Sequence, residues 1–190
     1  REDLVGELQS RMKSRRTTIR KWGATQAPYS ELLKDTVGRL RWADLLTMLV
    51  IDDAMRSGGV ATALGRQAEL DKKDTTTEYG GMVIARGEGG EARFEAVLFP
   101  PRPGQRRGDQ HFVASDDMIS ASDLALVHYH FHTQTWANSD YAGPSPEDLE
   151  YAAKSGRSCV VLTGVSDGVV NVDYYQPDGV VVDLGELRVK

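Results

Sequence analysis

The spacing of apolar residues changes once along this chain, near Asp71, and that change limits the folds open to it. Before it, Leu4, Val5, Leu8, Met12 and Ile19 recur close to the helical period. A break follows at Gly23 to Pro28. Ser30 reads as the N-cap of a second helix with Leu32, Leu33, Val37, Leu40, Leu45, Leu46, Leu49 and Val50 on its apolar face. Gly58-Gly59 reads as its stop, and a short third helix is expected from Val60 to Leu70. After Asp71 come short β-rich runs: Tyr79 to Ala85, Ala92 to Phe99, Leu124 to His132, Ser158 to Val165, Val169 to Tyr175 and Gly179 to Leu184. One helix, from Pro146 to about Lys154, interrupts them. The polar stretch Lys72 to Thr77 divides a helical segment, residues 1–74, from a second unit, residues 75–190. The fold class is α/β, a mixed sheet of five or six strands with an N-terminal helical extension.

Composition removes several classes of function. The net charge is −5, so the chain lacks the positive field that drives general nucleic-acid binding. No apolar run approaches the ~20 residues needed to cross a bilayer, so no membrane partner is expected. Cys159 is the one cysteine, which forbids an internal disulfide and a cysteine zinc cage. It lies in the apolar run Ser158-Cys159-Val160-Val161-Leu162 and reads as a buried, inert thiol. A lone cysteine is compatible with a reducing compartment, and the cytoplasm is the expected location. The chain begins with Arg1 and is read as a processed or excised piece. Six bases without an acid, Arg11, Lys13, Arg15, Arg16, Arg20 and Lys21, form either a patch for an acidic partner or a solvated helix face. The basic, proline-bearing loop from Pro100 to Gln110 is expected to be mobile.

The chemistry concentrates in His128-Tyr129-His130-Phe131-His132. Strand side chains alternate faces, so the three imidazoles point to one side. Imidazole is a standard zinc ligand, and three in register favour metal binding over hydrogen-bonded surface histidines. Downstream, Ser145-Pro146-Glu147-Asp148 is a helix start: Ser at N-cap, Pro at N1, acids in the first turn. Capping alone explains it, but a helix beginning after an HxH strand can also bring a carboxylate beside the imidazoles. Two His and one Asp leave a fourth tetrahedral position open, the layout of a catalytic zinc site. Glu78, at the mouth of a strand that opens with Gly80-Gly81, is a candidate general base or an ordinary surface acid.

Together these pieces resemble the JAMM (MPN-plus) metallopeptidases. Glu78-Tyr79-Gly80-Gly81, His130-Phe131-His132 and Ser145-Pro146-Glu147-Asp148 stand in the order of that family's signature, and the resemblance covers roughly Thr75 to Lys190. It implies a cytidine-deaminase-like MPN/JAMM fold, a curved mixed sheet flanked by helices. It implies one Zn2+ per chain on His130, His132 and Asp148. Glu78 and Ser145 would be catalytic, as proton carrier and oxyanion support. The substrate implied is a protein or peptide, such as a ubiquitin-like or sulfur-carrier protein, cut at a peptide or isopeptide bond. Many MPN-type domains are non-catalytic scaffolds, which is the alternative. Two departures stand out: Thr133 replaces the family's Pro, and the stretch from His132 to Ser145 is longer than usual. His128 is then a supporting group or an alternative ligand. Cupins need a further downstream His, metallo-β-lactamases a pattern that Thr133 breaks, and amidohydrolase barrels about 250 residues.

Overall fold

The computed structural model describes residues 1–20, 29–87 and 93–190. Its helices are α1 (Glu2–Met12), α2 (Leu33–Thr36), α3 (Trp42–Arg56), α4 (Gly58–Asp71), α5 (Asp116–Ala121) and α6 (Pro146–Ser155). Its strands are β1 (Gly80–Arg86), β2 (Arg93–Leu98), β3 (Ala125–His132), β4 (Cys159–Ser166), β5 (Val169–Tyr175) and β6 (Val181–Arg188). They form one six-stranded sheet in the order β2-β1-β3-β4-β5-β6. Only β3 and β4 pair in parallel. The connection between those two contains α6, as a parallel pair requires a crossover.

The two-residue period of the strands sorts their side chains between two layers. Val127, Tyr129 and Phe131 of β3 and Val160 and Leu162 of β4 join Leu8, Leu45, Met48, Ile51, Met55 and Leu64 of α1, α3 and α4 in one cluster. Each fully buried Leu or Met there stabilises the fold by roughly 2 kcal/mol. The opposite face carries Cys159, Val161 and Tyr175 against Ala152 of α6, and Met82 and Ile84 against Met118 of α5. The three histidines of β3 alternate with the first set and so face the α6 side. The polar boundary expected at Lys72 to Thr77 falls in the turn between α4 and β1, yet helices and sheet share the first cluster.

The helical part departs from the sequence reading in three places. α1 ends at Met12 instead of running on to Ile19. Residues 16–18 lie along the open edge of β6: Glu186 N donates to Arg16 O at 2.8 Å, and Thr18 N donates to Asp183 Oδ2 at 3.0 Å. An unpaired strand edge is a better partner for this segment than another turn of like-charged helix. Ser30 does not cap a long helix. α2 is one turn, and the backbone extends again at Leu40 and Arg41 before Asp44 Oδ2 accepts from Arg41 N at 2.7 Å and opens α3. Gly58-Gly59 opens α4 rather than stopping a helix, because the corner is made one residue earlier by extended Ser57. The expected break at Gly23 to Pro28 lies outside the described residues, apart from Pro28's neighbour Tyr29. Helix α5, capped by Ser115, was not expected.

Three bases of the N-terminal segment, Arg11, Arg15 and Arg20, bond within the molecule, while Lys13 and Arg16 are exposed. Arg11 bonds Glu7 and Asp53, and Arg15 holds buried Asp52 through both oxygens at 2.7 and 2.9 Å. Lys21 is outside the described residues. The loop before α5 is pinned as well, by Arg106 on Asp74 and Thr76, and by Arg102 on Asp117. Among the described residues no helix is long and apolar enough to cross a membrane.

Candidate metal centre

The end of β3 and the start of α6 meet at three side-chain groups. His130 Nε2 and His132 Nε2 lie 3.3 Å apart. Asp148 Oδ1 is 3.2 Å from His130 Nε2, and Asp148 Oδ2 is 3.8 Å from His132 Nε2. On the other side Glu78 Oε1 stands 3.9 Å from His132 Nε2. Glu78, His130 and His132 are buried with one ligand atom each inside 4.8 Å of one another, close enough to hold a metal ion. Asp148, also buried, is nearer the imidazoles than Glu78 is.

Local sequence explains each position. Ser145 Oγ accepts from Asp148 N at 3.2 Å, and Asp148 Oδ2 accepts from Ser145 N at 2.8 Å. This reciprocal cap fixes the carboxylate at the first turn of α6, leaving Oδ1 turned to His130. Gly156, at φ +66°, ends the same helix. Gly80 admits Phe112, whose ring a Cβ there would meet at 2.3 Å. Phe112 stacks on His130 with centroids 5.0 Å apart and so closes one side of the site.

The outer partners set the tautomers. His132 Nδ1 donates to Tyr141 O at 2.9 Å, which leaves a lone pair on Nε2. His130 Nδ1 faces the Tyr175 hydroxyl at 3.5 Å. Two ring nitrogens and a carboxylate thus converge. Burial drives His132 down to about 4, helped by the charge on His130. Burial also opposes charge on His130, but Asp148 and Glu78 outweigh it and hold His130 above the ordinary imidazole range. Asp148 is held well below the usual carboxylate range because the two histidines overcome its burial. Glu78 is pushed up to about 8, by burial first and then by the charges of Asp148 and Asp71.

Of the residues expected in the site, Glu78, His130, His132, Ser145 and Asp148 come together, and all but His130 line one cavity of about 410 Å³. His128 stands apart from that cluster: it is buried, its Nδ1 lies 2.8 Å from the Tyr151 hydroxyl, and its Nε2 has no hydrogen-bond partner among the described residues. Burial and Arg157 lower it to about 4. Sequence reasoning missed Gln134 and Arg20, while Asn138 and Tyr141 belong to the longer loop expected to border the site. Gln134 Nε2 donates to Glu78 Oε1 at 3.1 Å, and Asn138 Nδ2 donates to Gln134 Oε1 and to His132 O at 2.8 and 3.1 Å. These braces come from the stretch after His132 that is longer than the family pattern. Arg20 reaches across from the N-terminal segment and donates to Tyr141 O, Ala142 O and Gly143 O at 2.9–3.1 Å. No periodicity marks Arg20 or Gln134, because their partners are backbone carbonyls and a distant acid.

Comparison with protein-family models, with curated proteins and with solved structures finds no match to this chain.

Proposed function

We propose that this chain is a zinc-dependent hydrolase of JAMM type that cuts a peptide or isopeptide bond in a protein substrate, with the MPN-like fold that this implies. The observation that carries the reading is the convergence of His130 Nε2, His132 Nε2 and Asp148 within 3.2–3.8 Å. Ligands about 2.0–2.2 Å from a tetrahedral ion stand roughly 3.3–3.6 Å from one another, and His and Asp are zinc's ligand types. Glu78, slightly farther out, fits the role of base better than that of ligand. The metal supplies Lewis acidity, acidifying a water and polarising a carbonyl.

The chain's own groups do the rest. Asp148 and the two imidazoles would hold the ion, with Asp148 and His132 on the cavity wall. Glu78 would take the proton of the attacking water and return it to the leaving amine, its carboxylate standing on the cavity wall 3.9 Å from His132 Nε2. Gln134 keeps the Glu78 carboxylate turned inward. Ser145, on the cavity wall, donates its hydroxyl proton to the developing oxyanion. Phe112 excludes water from the His130 side. Ubiquitin-like and sulfur-carrier proteins are the substrate class suggested by the family resemblance.

The test is hydrolysis of a panel of peptide and isopeptide substrates by zinc-loaded chain, beside Glu78→Gln. Cleavage lost in the variant, with metal retained, supports a catalyst. A chain that binds zinc yet cleaves nothing, and keeps partner binding in Asp148→Asn, is a scaffold.

A further inference from the structure

Asp71 is a buried carboxylate that the reaction above does not use. It is 4% exposed, and among the described residues no lysine or arginine pairs with it. Burying an acid without a cation costs several kcal/mol unless hydrogen bonds compensate. Here they do, and both bear on the site. Asp71 Oδ1 accepts from Tyr79 N at 2.6 Å, and Asp71 Oδ2 accepts from the Thr133 hydroxyl at 2.7 Å. Tyr79 directly follows Glu78, and Thr133 directly follows His132. The last residue of α4 therefore ties the start of β1 to the end of β3 at the two points where site residues sit.

Thr133 is itself fully buried, with its hydroxyl also 3.3 Å from Ala68 O. Both the hydroxyl and the backbone N–H of Thr133 serve the tie to Asp71. That gives a physical reason for Thr where the resembled family has Pro, which could not donate to Asp71. A carboxylate accepts at both oxygens, whereas the neutral amide of Asn could accept from only one of the two donors. The charge has a second effect: Asp71 stands near enough to His130 and Glu78 for each to feel it. With Glu78 and Asp148 it brings three buried acids around two imidazoles, a field that favours a dication.

We propose that Asp71 is a positioning residue of the metal centre, clamping the chain at Glu78 to the chain at His132 and adding negative charge behind the ion. This rests on the metal reading above. The experiment titrates Co2+ into the full chain, wild type and Asp71→Ala, Asp71→Asn and Thr133→Val, and records both dissociation constant and visible absorption. Outer-sphere changes cost metal affinity roughly 10–100-fold. Asp71→Ala is expected to weaken Co2+ by at least about tenfold and to alter the absorption band. Asp71→Asn keeps the acceptor for Tyr79 and is expected to restore the band in part while affinity stays below wild type. Thr133→Val removes the hydroxyl bond beside His132 and is expected to alter the band in a chain that keeps the bond from Tyr79, which covers an Asp71→Ala that does not fold. Wild-type affinity and an unchanged band in Asp71→Asn and Thr133→Val overturn the proposal. Wild-type chain that takes up no Co2+ overturns the metal reading itself, and needs no variant to be seen.

Discussion

His130 Nε2 and Asp148 Oδ1 lie 3.2 Å apart, one at the end of a strand and the other in the first turn of a helix. The same Asp148 carboxylate caps that helix through Ser145. Structure and chemistry are thus joined in one group, and Ser145→Ala separates them. Loss of the cap costs about 1 kcal/mol. Loss of an oxyanion donor costs about 10²–10³ in kcat. A fall in thermal midpoint of a few degrees with a kcat drop in that range is expected at unchanged zinc content. A kcat reduced only a few-fold would mean that Ser145 is a cap and nothing more.

Glu78→Gln keeps the shape and the bond from Gln134 while removing the proton carrier. Zinc binding is expected to persist, and kcat to fall roughly 10²–10⁴-fold. Zinc lost with the substitution would make Glu78 a ligand, and steady-state kinetics beside metal analysis reads both.

Much of this site was legible because its parts follow local rules. Alternation in β3 placed His130 and His132 on one face, and the Ser-Pro-Glu-Asp start of α6 announced the cap that aims Asp148. The strands were readable from β-rich runs, and Val169–Tyr175 has the expected bounds. The break between α2 and α3 was hidden because Leu40 stays apolar and buried across it, so the helical spacing continued over a non-helical turn. The wrapping of residues 16–20 along β6, with Arg20 on the loop of Tyr141, is a contact between distant parts of the chain. So are the bonds from Asp71. Neither leaves a periodic trace.

The N-terminal segment is held by Asp52, which is 2% exposed and bonded to Arg15 and to Arg56, the latter at 2.8 Å. Asp52→Ala leaves two guanidinium groups against the core without their carboxylate, bonded only to the carbonyls of Leu184 and Glu186. The expected cost is roughly 3 kcal/mol, toward the low end for breaking a buried pair because both arginines keep some exposure. Denaturant unfolding checks it; a change below about 0.5 kcal/mol, the scale of an ordinary surface substitution, contradicts the assigned role.

Three acids lie buried near Gly143, and they give stability an alkaline limit. Burial, then the charge of Asp183, pushes Glu31 up to about 7, and burial with the neighbouring acids holds Asp173 well above the carboxylate range. Glu31 is 2% exposed, and among the described residues no lysine or arginine is in a salt bridge with it. The folded state therefore binds protons more tightly here than the unfolded chain does. The contribution is complete below the ordinary glutamate value of 4.5 and is lost as pH rises through about 7. Melting temperature is expected to fall between pH 5 and pH 7.5, and to fall less in Glu31→Gln. An equal slope in the two proteins contradicts this.

The central claim is that His130, His132 and Asp148 hold a metal. Elemental analysis of the purified wild-type chain, beside a double variant His130→Ala, Asp148→Ala, addresses it most directly. About one zinc per wild-type chain, absent from a folded variant, is the expected result. No zinc in the wild type, even after incubation with the ion, would contradict the claim and leave the fold without its proposed chemistry.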